Sequence, residues 1–245
     1  MLISGAGRGI GRGIALACAR RGAQIVVTDV ALADAQAVAA EIGTIGGVAT
    51  ALACDVTSRT SVEAAVAGAI GAYGRLDCVV HNATSRYAPL SEPLDDIVEA
   101  HWDDLVAVGP RGAFLLAAAA RPHLAASGGS LLLLISNAAY HGAPDLPAYA
   151  AVKGALRGMV KALAREWGPA GIRVNGLSPL AMTPALERYL DLYPEAETPL
   201  LERAALRRFG HPEDDIGAAA TLLIGRDARF ITGQTLIADG GGVMP

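Results

Sequence analysis

Seven short apolar runs punctuate the 245-residue chain, at residues 2–4, 24–28, 48–53, 78–81, 131–135, 173–177 and 235–238. Each is too short for a buried helix and reads as a strand covered on both faces. Patterns with apolar residues three and four apart begin near Gly9, Leu32, Ser58, Leu94, Pro110, Ala148 and Pro212, so helix fills every interval between runs. Such alternation is satisfied by a parallel sheet wrapped on both faces by right-handed crossover helices, a doubly wound α/β fold. With 52% hydrophobic residues, no internal repeat and no low-complexity linker, a single domain over residues 1–245 is expected.

The remaining composition mostly excludes. A net charge of −4 argues against nucleic acid as a partner. No apolar run reaches the ~18 residues of a membrane span, and no charged and apolar leader opens the chain. No membrane partner and a cytoplasmic location are therefore expected. Cys18, Cys54 and Cys78 fall within expected helix or strand, lack metal-ligand spacing and read as small buried apolar residues, so no metal site is expected. His81 and His141 fall near strand ends facing the crevice, and both read as non-catalytic. The one long strand-free stretch, 179–211, follows the sixth run, where doubly wound folds place their ligands, and reads as a substrate lid.

The first run leads into Ser4-Gly5-Ala6-Gly7-Arg8-Gly9-Ile10-Gly11 and then an alanine-rich helix. Glycines at a strand-to-helix turn let the backbone approach a pyrophosphate, whose charge meets the free N–H groups of the helix. Asp29 ends the second run. A carboxylate there accepts hydrogen bonds from both adenosine ribose hydroxyls and repels a 2′-phosphate, and its neighbour Val30 offers no cation to hold one. Arg8 is the opposing signal, a guanidinium beside the turn able to hold a phosphate. The balance points to NAD over NADP.

Lys153 stands four residues after Tyr149, and Ser136 thirteen before it, just past an apolar run. With six tyrosines and two lysines in the chain, a Tyr-x-x-x-Lys pair has a chance expectation of about 0.05. On a helix the two side chains share a face and converge on one ligand. A phenol with a pKa near ~10 is a poor base at neutral pH, and a nearby ammonium is expected to lower it. Ser136 is placed to hydrogen-bond a substrate oxygen whose charge changes during hydride transfer.

Together these residues are similar to the compact branch of the short-chain dehydrogenase/reductase family, over essentially the whole chain. Ser4, Gly5, Gly9 and Gly11 match its opening Thr-Gly-x-x-x-Gly-x-Gly, with serine for threonine. Asp55 and Val56 match its adenine contact, and His81-Asn82-Ala83-Thr84 resembles its Asn-Asn-Ala-Gly motif. Ser136, Tyr149 and Lys153 match its catalytic residues, and Phe230 to Gln234 with Asp239-Gly240-Gly241 read like its last strand and approach. The resemblance implies a seven-stranded Rossmann sheet and a homotetramer, with 110–124 and the Tyr149 helix in a subunit interface. It implies a tyrosine acting as general acid or base, a serine orienting the substrate oxygen, and a lysine holding the nicotinamide ribose. Cofactor contacts would come from Gly5, Arg8, Gly9, Ile10, Gly11 and Asp29, then Asp55, Val56, Asn82 and Ala83, and finally Tyr149, Lys153, Pro179 and Thr183.

Three departures surround the site. Gly109 stands where the family carries a fourth catalytic residue, an asparagine that helps hold a water linking the lysine to solvent. Its neighbour Pro110, without an N–H, is expected to start or kink a helix. Thr84 replaces a glycine beneath the cofactor, and Pro179-Leu180-Ala181-Met182-Thr183 is one residue shorter than the family's Pro-Gly-x-x-x-Thr.

The expected function is an NAD-dependent oxidoreductase interconverting a secondary alcohol and a ketone, with Tyr149 exchanging the proton. Tyr140, Met182 and Leu186 are expected to line a mainly apolar pocket for the small-molecule substrate. Two alternatives stay open: a 3-oxoacyl-thioester reductase using NADPH, and a dinucleotide-binding protein that no longer catalyses.

Overall fold

The computed structural model describes residues 1–88 and 90–244. Its strands are β1 Leu2–Ser4, β2 Gln24–Asp29, β3 Val48–Ala53, β4 Cys78–His81, β5 Ser130–Leu134, β6 Arg173–Pro179 and β7 Thr235–Ala238. All pair in parallel in the order β3-β2-β1-β4-β5-β6-β7, the Rossmann-like sheet expected. Edges differ by a residue or two: β2 extends to Asp29, β6 reaches Pro179, and β5 begins at Ser130 and ends before Ile135. The Ile135 amide still donates to the Leu177 carbonyl at 2.8 Å, so the chain leaves β5 gradually.

The helices are α1 Gly9–Ala19, α2 Leu32–Thr44, α3 Arg59–Tyr73, α4 Glu99–Val106, α5 Gly112–Ser127, α6 Ala138–His141, α7 Pro147–Trp167, α8 Pro184–Leu192, α9 Glu197–Arg203 and α10 Ala218–Ile224. Successive strand residues feed opposite faces of the sheet. Leu131, Leu133 and Ile135 join a core with α3, α5 and α7, while Leu132 and Leu134 join another with α1, α2 and α10. Burial on both faces is why the strands read as continuous apolar runs.

Local signals set several ends. Ser58 caps α3 by accepting from the Ser61 amide at 3.3 Å, and Gly74, at φ +73°, stops it. The two helix starts expected near Leu94 and Pro110 are not observed as such. Leu94–Asp96 is one 3-10 turn, and α4 continues through a π-helical turn, Ala107–Arg111, into α5. Pro110 lies inside that wider turn, where its ring and missing N–H interrupt α-helical bonding without breaking the helix. A second π-helical turn, Pro212–Gly217, leads into α10. It presses on α1 so closely that a Cβ on Gly13 would lie 2.3 Å from the Pro212 carbonyl oxygen.

From β1 the chain winds outward to β3, then crosses back to β4 on the other side of β1. The crevice outside the carboxyl ends of β1 and β4 is therefore the switch point where doubly wound sheets bind ligands. The stretch beyond β6 holds α8 and α9 and returns through a bridge between Ala181 and Gly210. No helix among the described residues is long and apolar enough to cross a membrane.

Candidate active site

The glycine turn is built against β4. Gly5 has φ +62°, and a Cβ there would lie 2.7 Å from the Ala83 Cα. Gly11 is as confined, since its Cβ would lie 2.4 Å from the Gly5 carbonyl oxygen. Asn82 Nδ2 donates to the Ser4 and Gly5 carbonyls at 3.2 and 2.7 Å, and Ser4 Oγ accepts from the Asn82 and Ala83 amides at 3.2 and 3.3 Å. Ser4 and Asn82 thus lash the turn to the end of β4. The first turn of α1 carries neither a side-chain cap nor an acidic residue, so its amides and positive dipole end face the crevice. Arg8 at its start is exposed and makes no ion pair among the described residues.

Asp29 already works within the protein. Its Oδ2 accepts from the Gly7 amide at 3.0 Å and its Oδ1 from the Ala31 amide at 3.2 Å. A carboxylate has about four acceptor sites, so both oxygens keep capacity for a ligand while fixing the turn. Asp55 Oδ1 accepts from the Thr57 amide at 2.9 Å and from its hydroxyl at 2.7 Å, shaping the entry to α3. Val56 beside it is buried, and a Cβ on Gly112 would lie 3.1 Å from its side chain.

Ser136, Tyr149 and Lys153 converge past β5. Burial pushes the Tyr149 phenol's pKa up, and the neighbouring Ser136 hydroxyl offsets only part of that rise. The expected depression by Lys153 is therefore not what the protein alone produces. Lys153 is 6% exposed. Its Nζ donates to the Leu134 carbonyl at 2.8 Å and stands 5.6 Å from the centre of the Tyr149 ring. Burial lowers its pKa to about 8, so it is still mainly an ammonium at neutral pH but gives up its proton more readily than an ordinary lysine.

A polar network beside Ser136 has no sequence signal of its own. Asn137 Nδ2 donates to Asp239 Oδ2 at 2.6 Å, and Asn137 Oδ1 accepts from Ser178 Oγ at 2.7 Å. The buried Asp239 carboxylate also accepts from the amides of Gly241, Gly242 and Val243 at 2.9, 3.0 and 2.8 Å. The loop bearing Ser136 is thereby tied to the ends of β6 and β7. Only Asp239 was visible beforehand, as part of the terminal Asp-Gly-Gly.

Other residues fall differently from expectation. His81 does not face the crevice; it is buried, with Nδ1 3.3 Å from Ser4 Oγ. Burial lowers its pKa to about 4, leaving it neutral. His141 is exposed, and its Nε2 lies 3.4 Å from Arg203 at the end of α9. Thr183 caps α8, accepting from the Leu186 amide at 3.2 Å, and lies 3.8 Å from where a Gly9 Cβ would be, so the start of the 179–211 stretch rests on the glycine turn. Leu180 donates to the Ala238 carbonyl at 3.0 Å and accepts from Gly210 at 3.1 Å, so the shortened segment leaves Pro179 in strand-like register. Met182 and Leu186 are half-buried in it, and Thr84 is exposed. The Tyr140 ring carries the Arg157 guanidinium 4.2 Å above its centre, which commits that face. Cys54 lies one residue past β3 rather than within it. Burial pushes Cys18 up to about 12 and Cys54 to about 11, and raises Cys78, so all three thiols stay protonated.

Comparison with known proteins gives consistent matches. Residues 5–242 match a family model described as Enoyl-(Acyl carrier protein) reductase. D-threitol dehydrogenase of Mycolicibacterium smegmatis is 37% identical over 243 residues, covering 98% of this chain and 91% of that protein. A solved structure of 7 alpha-hydroxysteroid dehydrogenase complexed with NADH and 7-oxo glycochenodeoxycholic acid is 35% identical with a TM-score of 0.92, covering 99% and 93% of the two chains. A 3-ketoacyl-(acyl-carrier-protein) reductase from Brucella melitensis complexed with NADH is 33% identical with a TM-score of 0.87, covering 98% and 96%.

Proposed function

The chain belongs to the short-chain dehydrogenase/reductase family, and from that premise we propose an NAD-dependent oxidoreductase that interconverts a secondary alcohol and a ketone, with Tyr149 as general acid and base. The observation that carries the reading is the meeting of Ser136, Tyr149 and Lys153 past β5, in a sheet whose β1 leads into a turn closed to any Cβ at Gly5 and Gly11.

The residues present fit a dinucleotide. Gly5 and Gly11 admit no Cβ against Ala83 and the Gly5 carbonyl, so the turn packs this tightly only with glycine, and the α1 amides have no competing side-chain cap. Asp29 stands where a ribose would meet it, and Val30 is 75% exposed with no cation to receive a 2′-phosphate, which supports NAD over NADP. Asp55, Val56, Asn82, Ala83, Pro179 and Thr183 would complete the binding site. When bound, NAD supplies the acceptor or donor of hydride.

In oxidation, Ser136 Oγ hydrogen-bonds the substrate oxygen and holds it toward Tyr149. The Tyr149 phenolate takes the hydroxyl proton as the substrate C–H bond yields its hydride, and the carbonyl forms. In reduction the phenol returns that proton to the forming alkoxide. Lys153, uncharged by burial more readily than an ordinary lysine, favours the phenolate when protonated and sits where the proton can leave. The 179–211 stretch, resting on the glycine turn at Thr183 and on His141 at Arg203, acts as the lid, and Met182, Leu186 and the free edge of Tyr140 line the pocket.

A homotetramer in the cytoplasm is the corresponding assembly and location. A 3-oxoacyl-thioester reductase is the second reading, favoured by the likeness to the Brucella enzyme. Because that reductase is itself complexed with NADH, turnover of a 3-oxoacyl thioester against that of an alcohol panel separates the two: preferred turnover of the thioester would favour the reductase. Turnover of D-threitol, a 7α-hydroxysteroid and a wider alcohol panel should vanish in Tyr149→Phe while NADH binding survives. Undiminished turnover in that variant would refute the assignment.

A further inference from the structure

His81 ends β4 and is 1% exposed, yet its Nε2 makes no hydrogen bond of good geometry. A buried polar atom left in this way calls for a reason. Its tautomer follows from its neighbours. Ser4 Oγ accepts from two amides, and of the two acceptors within reach of its own proton, His81 Nδ1 at 3.3 Å and the Val80 carbonyl at 3.5 Å, the ring nitrogen is the nearer. Nδ1 is then the acceptor and the ring proton sits on Nε2. The Val108 and Gly109 carbonyls of the π-helical turn act on the ring by raising its pKa against its burial, which puts the turn beside the imidazole. The ring's Cε1 would be 3.3 Å from a Cβ on Gly112, so the imidazole lies directly under the turn.

The turn in turn packs on the lysine's helix. A Cβ on Gly109 would lie 3.6 Å from Cβ of Val152, the residue before Lys153. On the sheet side, His81 pairs with Leu133, and the next carbonyl, of Leu134, is the one that holds the Lys153 ammonium. Lys153 is also the one charged group acting on the ring among the described residues.

We propose that His81 is a positioning residue for Lys153: its neutral imidazole, braced by Ser4, props the π-helical turn at Gly109 against α7 and so sets the ammonium on the Leu134 carbonyl. The task falls to His81 because Gly109 has no side chain to brace the turn from above. This rests on the reading of Lys153 as the group that tunes Tyr149.

The test measures kcat and KM against pH for one accepted alcohol, with NADH affinity as a separate readout. His81→Leu is expected to bind NADH normally, lose about tenfold in kcat and show a displaced limb in its kcat–pH profile. Adding Gly109→Asn, whose side chain starts at ordinary contact distance from Val152, is expected to recover most of that loss. A His81→Leu enzyme with wild-type kcat and pH profile, or a loss untouched by Gly109→Asn, would overturn the role. Lys153→Met, run alongside, separates the two readings. Full turnover there overturns the assignment of Lys153, whereas a dead Lys153→Met beside a normal His81→Leu overturns only His81. If His81→Leu does not fold, nitrogen NMR of the unaltered protein decides: a neutral Nε2–H ring at pH 6 is expected, and an Nδ1–H or charged ring overturns it.

Discussion

At the scale of single residues, burial sets the chemistry of the site and carries a stability cost. Lys153 has a folded pKa of about 8 against an ordinary value of 10.5. Between those values the unfolded chain binds the extra proton, so stability rises with pH across that window, and below pH 8 the fold carries the whole penalty. Lys153→Met should therefore melt higher than the parent at pH 7, with the gain shrinking as the melts are repeated toward pH 10. A variant no more stable at neutral pH would show that the ammonium is well solvated. His81 has the same sign at lower pH. Its pKa falls from 6.5 to about 4, so the fold should lose stability as pH drops through that interval, and His81→Asn should flatten the acid side of the curve. Asp29 is different, because its carboxylate serves the protein before it meets a ligand. Replacing it with alanine removes the acceptors for the Gly7 and Ala31 amides. NADH affinity should then fall by about tenfold or more, and adding Val30→Arg should raise NADPH affinity without restoring NADH. Unchanged NADH binding in Asp29→Ala, measured by fluorescence, would sink this dual role. The sequence pointed to Asp29 at a strand end and to Tyr149 and Lys153 on one helix face, since strand ends and helix spacing determine where side chains point. It did not reveal that the phenol's pKa would be raised, because desolvation depends on what packs around the ring.

Among elements, the loops after the strands hold the site, and long-range hydrogen bonds hold the loops. The Ser136 loop is short and glycine-free, and its position comes from Asn137 bridging Ser178 and Asp239. Asn137→Ala should lower kcat by about tenfold with little change in the KM for NAD, since the serine loosens while the glycine turn is untouched. Equal losses in cofactor binding would point to general unfolding of the loop. The helices show the complementary lesson. Repeating apolar positions revealed the starts of α1, α2, α3 and α7, and Ser58 and Gly74 mark the ends of α3 by residue type alone. At Pro110 and Pro212 the same reasoning expected helix starts, and the chain instead forms π-helical turns. A proline reports that an α-helical bond is missing, but whether the helix ends or widens depends on neighbouring packing.

For the whole molecule, the parallel sheet with both faces covered accounts for the core. Leu132 is fully packed between β4, β6 and the α1 side of the sheet. Leu132→Ala should cost about 2–5 kcal/mol in denaturant unfolding, and a loss near zero would mean that the site collapses freely. The outer surface suggests assembly. Phe230 is 100% exposed, Leu222 on α10 48% and Met244 78%, while Phe114 on α5 and Trp102 on α4 are 52% and 40% exposed. Sedimentation at micromolar concentration should show a homotetramer, and a stable monomer would remove the assembly from the proposed function.

Sequence alone determined the class of fold, the number of strands and the strand-to-helix glycine turn, and it set Tyr149 and Lys153 on one helix face. Those follow from local rules: the two-residue period of a buried strand, the four-residue reach along a helix, and the backbone freedom of glycine. Tertiary structure alone decided that Asp29 shapes the glycine turn, that Asn137 and Asp239 secure the serine loop, and that His81 lies under the turn at Gly109. Each of these joins residues 22 to 102 positions apart or sets strand against helix. Such pairings are decided by which strands become neighbours, and by how much water their contacts exclude.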